Sequence, residues 1–499
     1  MQSNDKKPQF INVENMHQGM YKCEYAVRGA TVLRAEQIAE EIASGKAKYS
    51  FKETMECNVG NPHALGQQPI TFGRQVLSLL MSPSLIETSN FPEGVKKRAI
   101  YYRDRIRGNL GAYAASCGYK FVRENLAKAL EQRDGGAPSN WEQIILTDGA
   151  SAAITMVLHS LIPDKDAGIM LPTPQYPLYS ATITVAGGQQ VPYYLDEDSG
   201  WQIKAEDLAK SYEEARKRGV KVRAIVVINP GNPTGQILDE EAMRKIIKFS
   251  YDHDLCILAD EVYQQNVWTE KKKFISFKKV VYNMPEPYNK TALFSFGSCS
   301  KGFMGECGLR GGYVEFYNVD PAVEAQFRKF KTISLSTNTV GQVMMDMMMN
   351  PPNELENGKE VTEQYNREKE AIIASLKRKA LAATKIFNSM KNVECQEIEG
   401  AMYCFPRIKL SNKAIQEARR RKIAPDLLYC LEALDYTGMV TVEGTGFGQK
   451  EGTYHFRSTI LITPDKRFEE ALEKFKEFNE AFHEKYKDHQ EEMRIRPKL

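Results

Sequence analysis

Residues 224–235 read Ala-Ile-Val-Val-Ile-Asn-Pro-Gly-Asn-Pro-Thr-Gly, and this stretch contains the clearest indication of the fold. Its first part is apolar and mostly β-branched, which is typical of a short strand buried on both faces. Its second part contains two prolines and two glycines, which predict a tight turn directly after the strand. The stretch therefore predicts polar side chains held at the carboxyl end of a buried strand.

Similar short apolar runs alternate with helical patterns before and after this stretch. Continuous apolar strands separated by helices predict a mostly parallel sheet that is covered by helices on both faces. Such a sheet is the centre of an α/β domain, and we predict one here. The other apolar runs are residues 143–147, 168–171, 256–259 and 291–294.

The C-terminal part of the chain has a different pattern. A long charged helix is predicted at 363–390, and strands are predicted at 403–406 and 456–462. A closing helix presents apolar residues at steps of three and four, which predicts one buried stripe. These elements predict a smaller α+β domain. The stripe consists of Phe468, Leu472, Phe475, Phe478 and Phe482.

We divide the chain into three parts on these patterns. Residues 1–45 are polar and mixed and are predicted to form an N-terminal arm or peripheral segment. Residues 75–355 are predicted to form the large domain, and 46–74 together with 356–499 the small one.

The bulk composition argues against several classes of protein. The formal net charge of the 499 residues is only +3 and the charges are well mixed, whereas nucleic-acid binders usually carry a one-sided basic patch. The nine cysteines include no C-x-x-C pair, and the seven histidines show no ligand spacing, so we predict neither a disulfide framework nor a metal site. No run approaches the roughly 20 apolar residues of a membrane helix, so we expect no membrane partner.

The two ends of the chain bear on its location. The first ten residues have no apolar core of the kind a secretory signal needs. The chain ends in Arg-Pro-Lys-Leu at 496–499, which is close to the peroxisomal ending S-K-L but has proline where serine belongs. We expect a cytoplasmic protein and leave an organellar location, including the peroxisome, open.

Polar clusters follow several predicted strands. In open α/β sheets, ligands bind beyond the carboxyl ends of the strands, so these clusters are candidates for the functional site. Taken singly, each has a commoner structural explanation: a helix cap, a rigid loop, a salt bridge or a solvated lysine. The clusters are 147–151, 229–235, 260–263 and 297–302, and Arg310 follows the last of them.

Taken together, the clusters meet the chemical requirements of pyridoxal phosphate. A lysine such as Lys301 can form a Schiff base with an aldehyde. A carboxylate such as Asp260 can pair with a pyridinium nitrogen and keep the ring an electron sink. Hydroxyl groups, an arginine and a helix N-terminus can hold a phosphate, and the chain supplies all three. The residues therefore predict a pyridoxal-phosphate enzyme.

Several longer strings carry a family resemblance. From about Cys57 to the C-terminal helix, the chain resembles the fold-type I aminotransferases of the aspartate aminotransferase superfamily, and among them the alanine aminotransferases. The resemblance implies a large cofactor-binding domain with a mostly parallel seven-stranded sheet between helices, followed by a small α+β domain. The strings are Gly-Gln-Gln-Pro-Ile-Thr at 66–71, Pro-Gln-Tyr-Pro-Leu-Tyr at 174–179, Ser-Lys-Gly-Phe-Met-Gly-Glu-Cys at 300–307, and 446–457.

The resemblance implies a role for individual residues. The predicted catalytic residues are Lys301, which carries the Schiff base and moves the proton, Asp260, which pairs with the pyridine nitrogen, and Tyr263. The other predicted cofactor ligands are Tyr263 and Asn232 at the ring phenolate, Tyr176 on the ring face, and Gly149, Ala150, Ser151, Ser298 and Arg310 at the phosphate.

The substrate site and the oligomer are also implied by the resemblance. Arg457 is predicted to hold the substrate α-carboxylate by two parallel hydrogen bonds, with Gly60 and Asn232 beside it. Tyr113 is predicted to reach the phosphate of a neighbouring subunit, so the resemblance implies a homodimer with its active sites at the interface. One departure from the subgroup is Cys299, where threonine is common, and we expect this thiol to be sensitive to thiol reagents.

The implied reaction is a ping-pong exchange of amino groups between L-alanine and 2-oxoglutarate, giving pyruvate and L-glutamate. A glutamate–glyoxylate aminotransferase is the main alternative, since one methyl group gives only about 1–3 kcal/mol of discrimination. A lyase of the aminocyclopropane-carboxylate synthase type shares the cofactor residues and is less favoured. A pyridoxal-phosphate-dependent transcription regulator would need a DNA-binding module, for which the N-terminal 45 residues are too few.

Overall fold

A computed structural model describes residues 11–25, 27, 29–45 and 49–488 of the chain. Its centre is a seven-stranded sheet in the order β1-β7-β6-β5-β4-β2-β3. The strands of this sheet are β1 (Ile144–Asp148), β2 (Ala167–Thr173), β3 (Gln189–Tyr194), β4 (Lys221–Ile228), β5 (Cys256–Asp260), β6 (Leu293–Ser298) and β7 (Gly311–Tyr317).

The sheet is mostly parallel. The pairs from β3 through β2, β4 and β5 to β6 are parallel, and only β7 runs antiparallel to its neighbours β6 and β1. The five predicted strands appear as β1, β2, β4, β5 and β6, whereas β3 and β7 were not predicted from the local patterns. The predicted α/β class with a mostly parallel seven-stranded sheet is confirmed.

Helices cover both faces of the sheet. In β4, Val226 packs in one hydrophobic cluster, while its neighbours Ile225 and Val227 pack in another on the opposite side. Successive side chains of a strand point to opposite faces, so a strand that is apolar at every position is buried on both. Burial on both faces therefore explains why residues 224–228 are all apolar.

The helices of the first part of the chain surround this sheet or precede it. They are α1 (Gln18–Lys22), α2 (Ala30–Ala43), α3 (Thr71–Met81), α4 (Leu85–Thr88), α5 (Glu93–Arg103), α6 (Lys120–Arg133), α7 (Ala150–Leu161), α8 (Leu178–Ala186), α9 (Ala205–Lys217), α10 (Glu240–Asp252), α11 (Phe277–Tyr282), α12 (Pro321–Lys331), α13 (Thr339–Met349) and α14 (Glu354–Asn357).

The C-terminal part combines helices with two small antiparallel sheets, β10-β8 and β11-β12-β9. The apolar stripe of the last helix is buried, from Phe468 to Phe482. The domain boundaries themselves stay predictions. The elements are α15 (Lys359–Ser389), β8 (Val393–Glu394), β9 (Tyr403–Cys404), β10 (Arg407–Ile408), α16 (Asn412–Arg421), α17 (Pro425–Thr437), β11 (Val442–Glu443), β12 (Phe456–Thr459) and α18 (Asp465–Lys485).

The structure bears on the membrane and on part of the location prediction as follows. No helix in the described part of the chain combines the length and the apolar character needed to cross a membrane. The C-terminal ending at 496–499, on which the peroxisomal alternative rests, lies outside the described residues.

Candidate active site

A cavity of about 650 Å³ lies at the carboxyl ends of the central strands. This volume is in the range of small-molecule sites. The cavity brings together most of the predicted site residues, from Gly60, which precedes β1, to Arg457 in β12. The predicted residues in its wall are Gly60, Ala150, Ser151, Tyr176, Asn232, Asp260, Tyr263, Ser298, Lys301, Arg310 and Arg457.

Two predicted residues lie outside that wall. Gly149 is the residue before α7 and lies under Arg310. Tyr113 is 80% exposed and does not line the cavity of its own chain. The structure therefore leaves Tyr113 available to another molecule.

One end of the cavity is built to receive an anion. Gly149 has φ of 79°, and a Cβ there would lie 2.2 Å from Arg310 Nη2, so the chain turns into α7 tightly against the guanidinium. Arg310 Nη2 donates a hydrogen bond of 3.1 Å to Ser151 Oγ. Ser298 ends β6 in the same wall. A cation, two hydroxyls and the free N–H groups at a helix N-terminus converge here, which suits a phosphate.

Asp260 lies deeper in the cavity, at the last position of β5, and is buried. Its carboxylate accepts a hydrogen bond of 2.8 Å from the Tyr179 hydroxyl. Burial raises the pKa of Asp260 to about 6, although the hydrogen bond from Tyr179 works against this rise. Asp260 forms no ion pair within the part of the chain that the structure describes, so a ligand cation would relieve the cost of burying its charge.

Lys301 follows β6 and reaches across the cavity. Its Nζ donates a hydrogen bond of 2.7 Å to the backbone oxygen of Gly60. Burial works to lower the pKa of Lys301, but the neighbouring Tyr403 and Cys307 leave that pKa raised, so the amine is a proton donor in this structure. A Cβ at position 60 would lie 3.0 Å from Nζ, so any larger residue than glycine there would crowd the amine.

Tyr263 lies between Asn232 and Tyr403. Asn232 Nδ2 donates to the Tyr263 hydroxyl at 3.4 Å, and that hydroxyl donates to the Tyr403 hydroxyl at 3.1 Å. Burial, followed by the effect of Tyr403, raises the pKa of Tyr263 well above its ordinary value. The phenol therefore stays protonated and remains a hydrogen-bond donor.

Arg457 occupies the wall contributed by β12 and is only 1% exposed. Its guanidinium carbon lies 4.4 Å from the centre of the Tyr403 ring and 4.5 Å from that of Phe447. Its Nη1 donates to Asn232 Oδ1 at 3.0 Å and its Nη2 to the backbone oxygen of Asn58. Its Nε has no hydrogen-bond partner among the described residues. A buried guanidinium held in place without a carboxylate partner is suited to bind the carboxylate of a ligand.

The N-terminal segment, expected to be peripheral, contributes to the cavity wall. Tyr25 and Val27 line it, and the hydroxyls of Tyr25 and Tyr176 are hydrogen-bonded at 2.7 Å. Asn58 Nδ2 donates to the backbone oxygen of Val27 at 3.1 Å, which links the N-terminal segment to the residues just before α3. The local sequence contained no indication of this, because neither residue follows a predicted strand.

The cavity wall also contains an ion pair between a buried glutamate and an exposed arginine, which the sequence did not reveal. Glu306 is 2% exposed and accepts two hydrogen bonds of 2.8 Å from Arg74. Both residues line the cavity, together with His63. Arg74 belongs to α3, which begins at the end of the string 66–71.

The two cysteines near Lys301 differ in their surroundings. Cys299 is fully buried, and burial raises the pKa of its thiol to about 12, so this environment argues against the expected reaction of Cys299 with thiol reagents. Cys307 is partly exposed and lines the cavity, with its Sγ 3.1 Å from the backbone oxygen of Ser300. Within the described part of the chain, no cluster of His, Cys, Asp and Glu side chains has the arrangement of a metal site.

The donor set of the cavity fits pyridoxal phosphate. It offers an anion site at α7 and Arg310, a buried unpaired carboxylate at Asp260, and a lysine amine at Lys301. These three features match the phosphate, the pyridine nitrogen and the aldehyde of the cofactor. Arg457 has no carboxylate partner among the described residues and is not required by these three features, so it can bind the carboxylate of an amino acid.

Comparison with known proteins supports the same assignment. The family model for aminotransferase class I and II matches residues 87–475. Glutamate–glyoxylate aminotransferase 1 of Arabidopsis thaliana is 45% identical, over 95% of this chain and 97% of the relative. Alanine aminotransferase 2 of Panicum miliaceum is 44% identical, over 96% and 99%, and alanine aminotransferase 1 of Homo sapiens is 42% identical, over 95% of each.

Solved structures show the same fold at lower sequence identity. An alanine aminotransferase from Pyrococcus furiosus superposes with a TM-score of 0.71 at 21% identity, covering 93% of this chain and 99% of its own. An aminotransferase from Escherichia coli also gives 0.71, at 20% identity, covering 95% and 99%. The resemblance inferred from the motifs is thereby confirmed, and this chain belongs to the class I and II aminotransferase family.

Proposed function

We propose that this protein transfers the amino group of L-alanine to 2-oxoglutarate, giving pyruvate and L-glutamate, with pyridoxal phosphate bound at Lys301. The observation that carries the proposal is the buried, carboxylate-free guanidinium of Arg457 in the same cavity as the Lys301 amine. The choice of alanine is supported by the relatives named alanine aminotransferase, which are 44% and 42% identical over nearly the full chain.

Besides Lys301, three groups of residues would hold the cofactor. The N-terminus of α7 with Ser151, Ser298 and Arg310 would bind the phosphate, and Asp260 would pair with the ring nitrogen. Tyr263 and Asn232, which line the cavity and are hydrogen-bonded to each other, would donate to the ring oxygen. When bound, pyridoxal phosphate supplies an aldehyde that condenses with amines and a ring that accepts the electron pair released at the substrate α-carbon.

The residues of the chain position the substrate and move its proton. Arg457 binds the α-carboxylate and so brings the α-carbon near Lys301. In its neutral form, the Nζ of Lys301 would accept the α-proton of the amino acid, and in the second half-reaction the protonated amine would deliver a proton to C2 of the 2-oxo acid. Tyr25, Val27 and Tyr176 line the cavity, and the hydroxyls of Tyr25 and Tyr176 are hydrogen-bonded to each other.

The test combines a spectrum with a product assay. The purified protein with added pyridoxal phosphate is expected to show a visible absorbance band, which Lys301→Ala abolishes. It is also expected to release pyruvate from alanine and 2-oxoglutarate. Lys272→Ala, which removes a lysine paired with Glu399 at 2.8 Å outside the cavity, is the matched control and should keep both signals. A wild-type protein without a visible band would refute the proposal.

Glutamate–glyoxylate transamination is a second candidate. It is supported by two relatives of that name from Arabidopsis thaliana, each 45% identical to this chain over about its whole length. Alanine and glyoxylate chemistry use the same cofactor and carboxylate residues, so the cavity does not separate them. Steady-state kcat/KM values for alanine with 2-oxoglutarate and for glutamate with glyoxylate, measured on one preparation, distinguish the two activities.

We also propose that the active unit is a homodimer. Support comes from exposed large side chains on two neighbouring loops, one containing Tyr113 and the other Ile333 and Leu335. Ser116 Oγ donates to the backbone oxygen of Leu335 at 2.8 Å and so joins the two loops. Tyr113, Ile333 and Leu335 are 80%, 75% and 59% exposed. Buried apolar surface is the usual content of a dimer interface.

A complementation experiment tests the role of Tyr113 in the dimer. A Lys301→Ala chain and a Tyr113→Ala chain are each expected to have low activity. If Tyr113 acts on the neighbouring subunit, a mixed dimer has one site with both residues intact, and activity returns on mixing. Mixing without any gain, in a protein shown to be dimeric by sedimentation, would contradict the proposed role.

A further inference from the structure

Tyr403 connects parts of the cavity that the predicted residues leave separate. It lies in β9, which pairs with the strand β12 that carries Arg457, and it is only 3% exposed. Its hydroxyl accepts a hydrogen bond of 3.1 Å from Tyr263, and its ring lies 4.4 Å from the guanidinium carbon of Arg457. One side chain thus contacts both the proposed cofactor end and the proposed substrate end.

The Tyr403 hydroxyl also lies close to Lys301. A Cβ built at Gly60 would be 2.2 Å from the Tyr403 oxygen and 3.0 Å from Lys301 Nζ, so both groups border the same point. The rings of Tyr263 and Tyr403 meet edge to face, with centroids 5.8 Å apart and an interplanar angle of 83°. This packing leaves the two hydroxyls facing each other inside the cavity wall.

The hydrogen bond between Tyr263 and Tyr403 depends on which of the two hydroxyls donates. A phenol has one proton to donate and two lone pairs that accept. In this structure the Tyr263 hydroxyl donates its one hydrogen bond to the Tyr403 hydroxyl. When Tyr263 donates instead to the ring oxygen of the cofactor, that proton is used, and the hydrogen bond between the tyrosines persists only if Tyr403 becomes the donor.

We infer that Tyr403 is a positioning residue: its hydroxyl donates to Tyr263 and thereby orients and strengthens the hydrogen bond that Tyr263 gives to the ring oxygen of the cofactor. Hydrogen bonds in a chain polarise one another, so a hydroxyl that accepts a bond is the better donor. The inference rests on the proposed function, because it assigns Tyr263 to a bound cofactor. The Tyr403 ring separately supports Arg457.

The charged and titratable groups around the pair stay the same when only the hydroxyl is removed. Asp260 faces Tyr263 from β5, and Tyr176 faces it from the segment after β2. Lys301 and Arg457 face the pair from the other side. Tyr403→Phe removes no other titratable side chain and keeps the ring against Arg457. Because the Tyr403 hydroxyl also raises the pKa of Lys301, the double variant with Tyr263→Phe is needed to separate this direct effect from the effect that passes through Tyr263.

The experiment follows the visible band of the protein with bound pyridoxal phosphate as a function of pH. A hydrogen bond to the charged ring oxygen favours that form, so weakening the bond raises the midpoint of the titration. Tyr403→Phe is expected to raise the midpoint by a few tenths of a pH unit, and Tyr263→Phe by more. The double variant is expected to match Tyr263→Phe, because the effect of Tyr403 passes through Tyr263.

Three further measurements separate a positioning role from a structural one. With Tyr403→Phe, kcat is expected to fall a few-fold while KM for alanine stays within about twofold, because the carboxylate site is intact. Tyr403→3-fluorotyrosine keeps the bond with a more acidic donor and is expected to lower the midpoint. Tyr429→Phe is the control: it removes a buried hydroxyl that donates to Asn479 Oδ1 at 2.8 Å and should leave the midpoint unchanged.

Two results would overturn the inference while leaving the proposed function standing. One is a folded, active Tyr403→Phe protein with the wild-type midpoint. The other is a double variant whose shift is the sum of the single shifts, since Tyr403 would then act independently of Tyr263. A wild-type protein with neither a visible band nor pyruvate release would instead refute the proposed function and the inference with it.

Discussion

The Asp260 carboxylate and the Tyr179 hydroxyl form a hydrogen bond of 2.8 Å, with both side chains buried at the base of the cavity. This bond opposes the effect of burial, which raises the pKa of Asp260 to about 6. Tyr179 therefore helps to keep the carboxylate ionised before a cofactor cation is present. It is the last residue of the string 174–179, but the sequence alone assigned it no role.

Removing this hydroxyl should change how cofactor binding depends on pH. The proton competes with the cofactor for Asp260, so the affinity of the cofactor-free protein for pyridoxal phosphate is expected to fall as the pH decreases through about 6. Tyr179→Phe raises the pKa of Asp260 further, so the fall should begin at higher pH. Fluorescence titrations between about pH 5 and 8 measure the difference.

The matched control is Tyr193→Phe. Tyr193 is also fully buried, but its hydroxyl donates to the backbone oxygen of Val226 at 2.7 Å and leaves Asp260 untouched. Both variants lose one buried hydrogen bond. The role of Tyr179 at Asp260 is therefore supported only if the pH dependence of cofactor affinity shifts in Tyr179→Phe and not in Tyr193→Phe. Equal curves for the two variants would count against it.

Arg457→Lys should weaken substrate binding at an otherwise intact site. Lysine cannot form two parallel hydrogen bonds with a carboxylate or replace the flat guanidinium between Tyr403 and Phe447. Losing one charge-assisted hydrogen bond costs about 1.5–3 kcal/mol, so KM should rise roughly 10- to 100-fold for both amino acid and 2-oxo acid. Arg407→Lys, at a partly exposed arginine 3.7 Å from Glu197, should leave KM unchanged.

Thiol reagents should act at Cys307 and not at Cys299. Cys307 lines the cavity and is partly exposed, whereas Cys299 is fully buried and its thiol has a pKa of about 12. Inactivation by iodoacetamide should therefore persist in Cys299→Ser and be largely lost in Cys307→Ser, and pyruvate should slow it in the wild type. Loss of sensitivity in Cys299→Ser would show that the buried thiol becomes accessible in solution.

Asp346 should make the fold less stable as the pH rises. It is 1% exposed in α13, accepts a hydrogen bond of 2.5 Å from the Tyr102 hydroxyl, and burial raises its pKa to about 6. A raised carboxyl pKa gives stability that is complete below the unfolded value near 4 and is lost as the pH increases through about 6. Asp346→Asn removes this loss and should stabilise the protein at pH 7 by up to about 3 kcal/mol, since each of the two pKa units corresponds to about 1.4 kcal/mol.

Urea unfolding at several pH values measures that effect. The gain from Asp346→Asn should shrink towards zero near pH 4, where the wild-type carboxyl is already protonated. Asp104→Asn is the control, because Asp104 is exposed and pairs with Arg103 at the surface at 3.0 Å. A gain that is the same at every pH would mean that ionisation of Asp346 is not its cause.

The strands that the sequence predicted are those whose burial is visible locally. In β4 every position of 224–228 is apolar because the strand is covered on both faces. The edge strand β3 is buried only at alternate positions, and Pro192 lies within it. In β7, Glu315 is 2% exposed and is neutralised by Lys278 Nζ at 2.8 Å. Neither strand reads as a continuous apolar run, so local patterns did not reveal them.

The site residues also fall into two groups, those that the sequence could predict and those that it could not. The chain direction of parallel strands brings their carboxyl ends to one edge, so the residues that follow β1, β4, β5 and β6 could be expected at one site from sequence order. Tyr25, Tyr179 and Tyr403 could not, because they reach it through contacts across 151, 81 and 140 residues. The sequence by itself determined which chemical groups lie at the strand ends. The tertiary structure decided which hydroxyls set their protonation and orientation, since that depends on packing between distant segments.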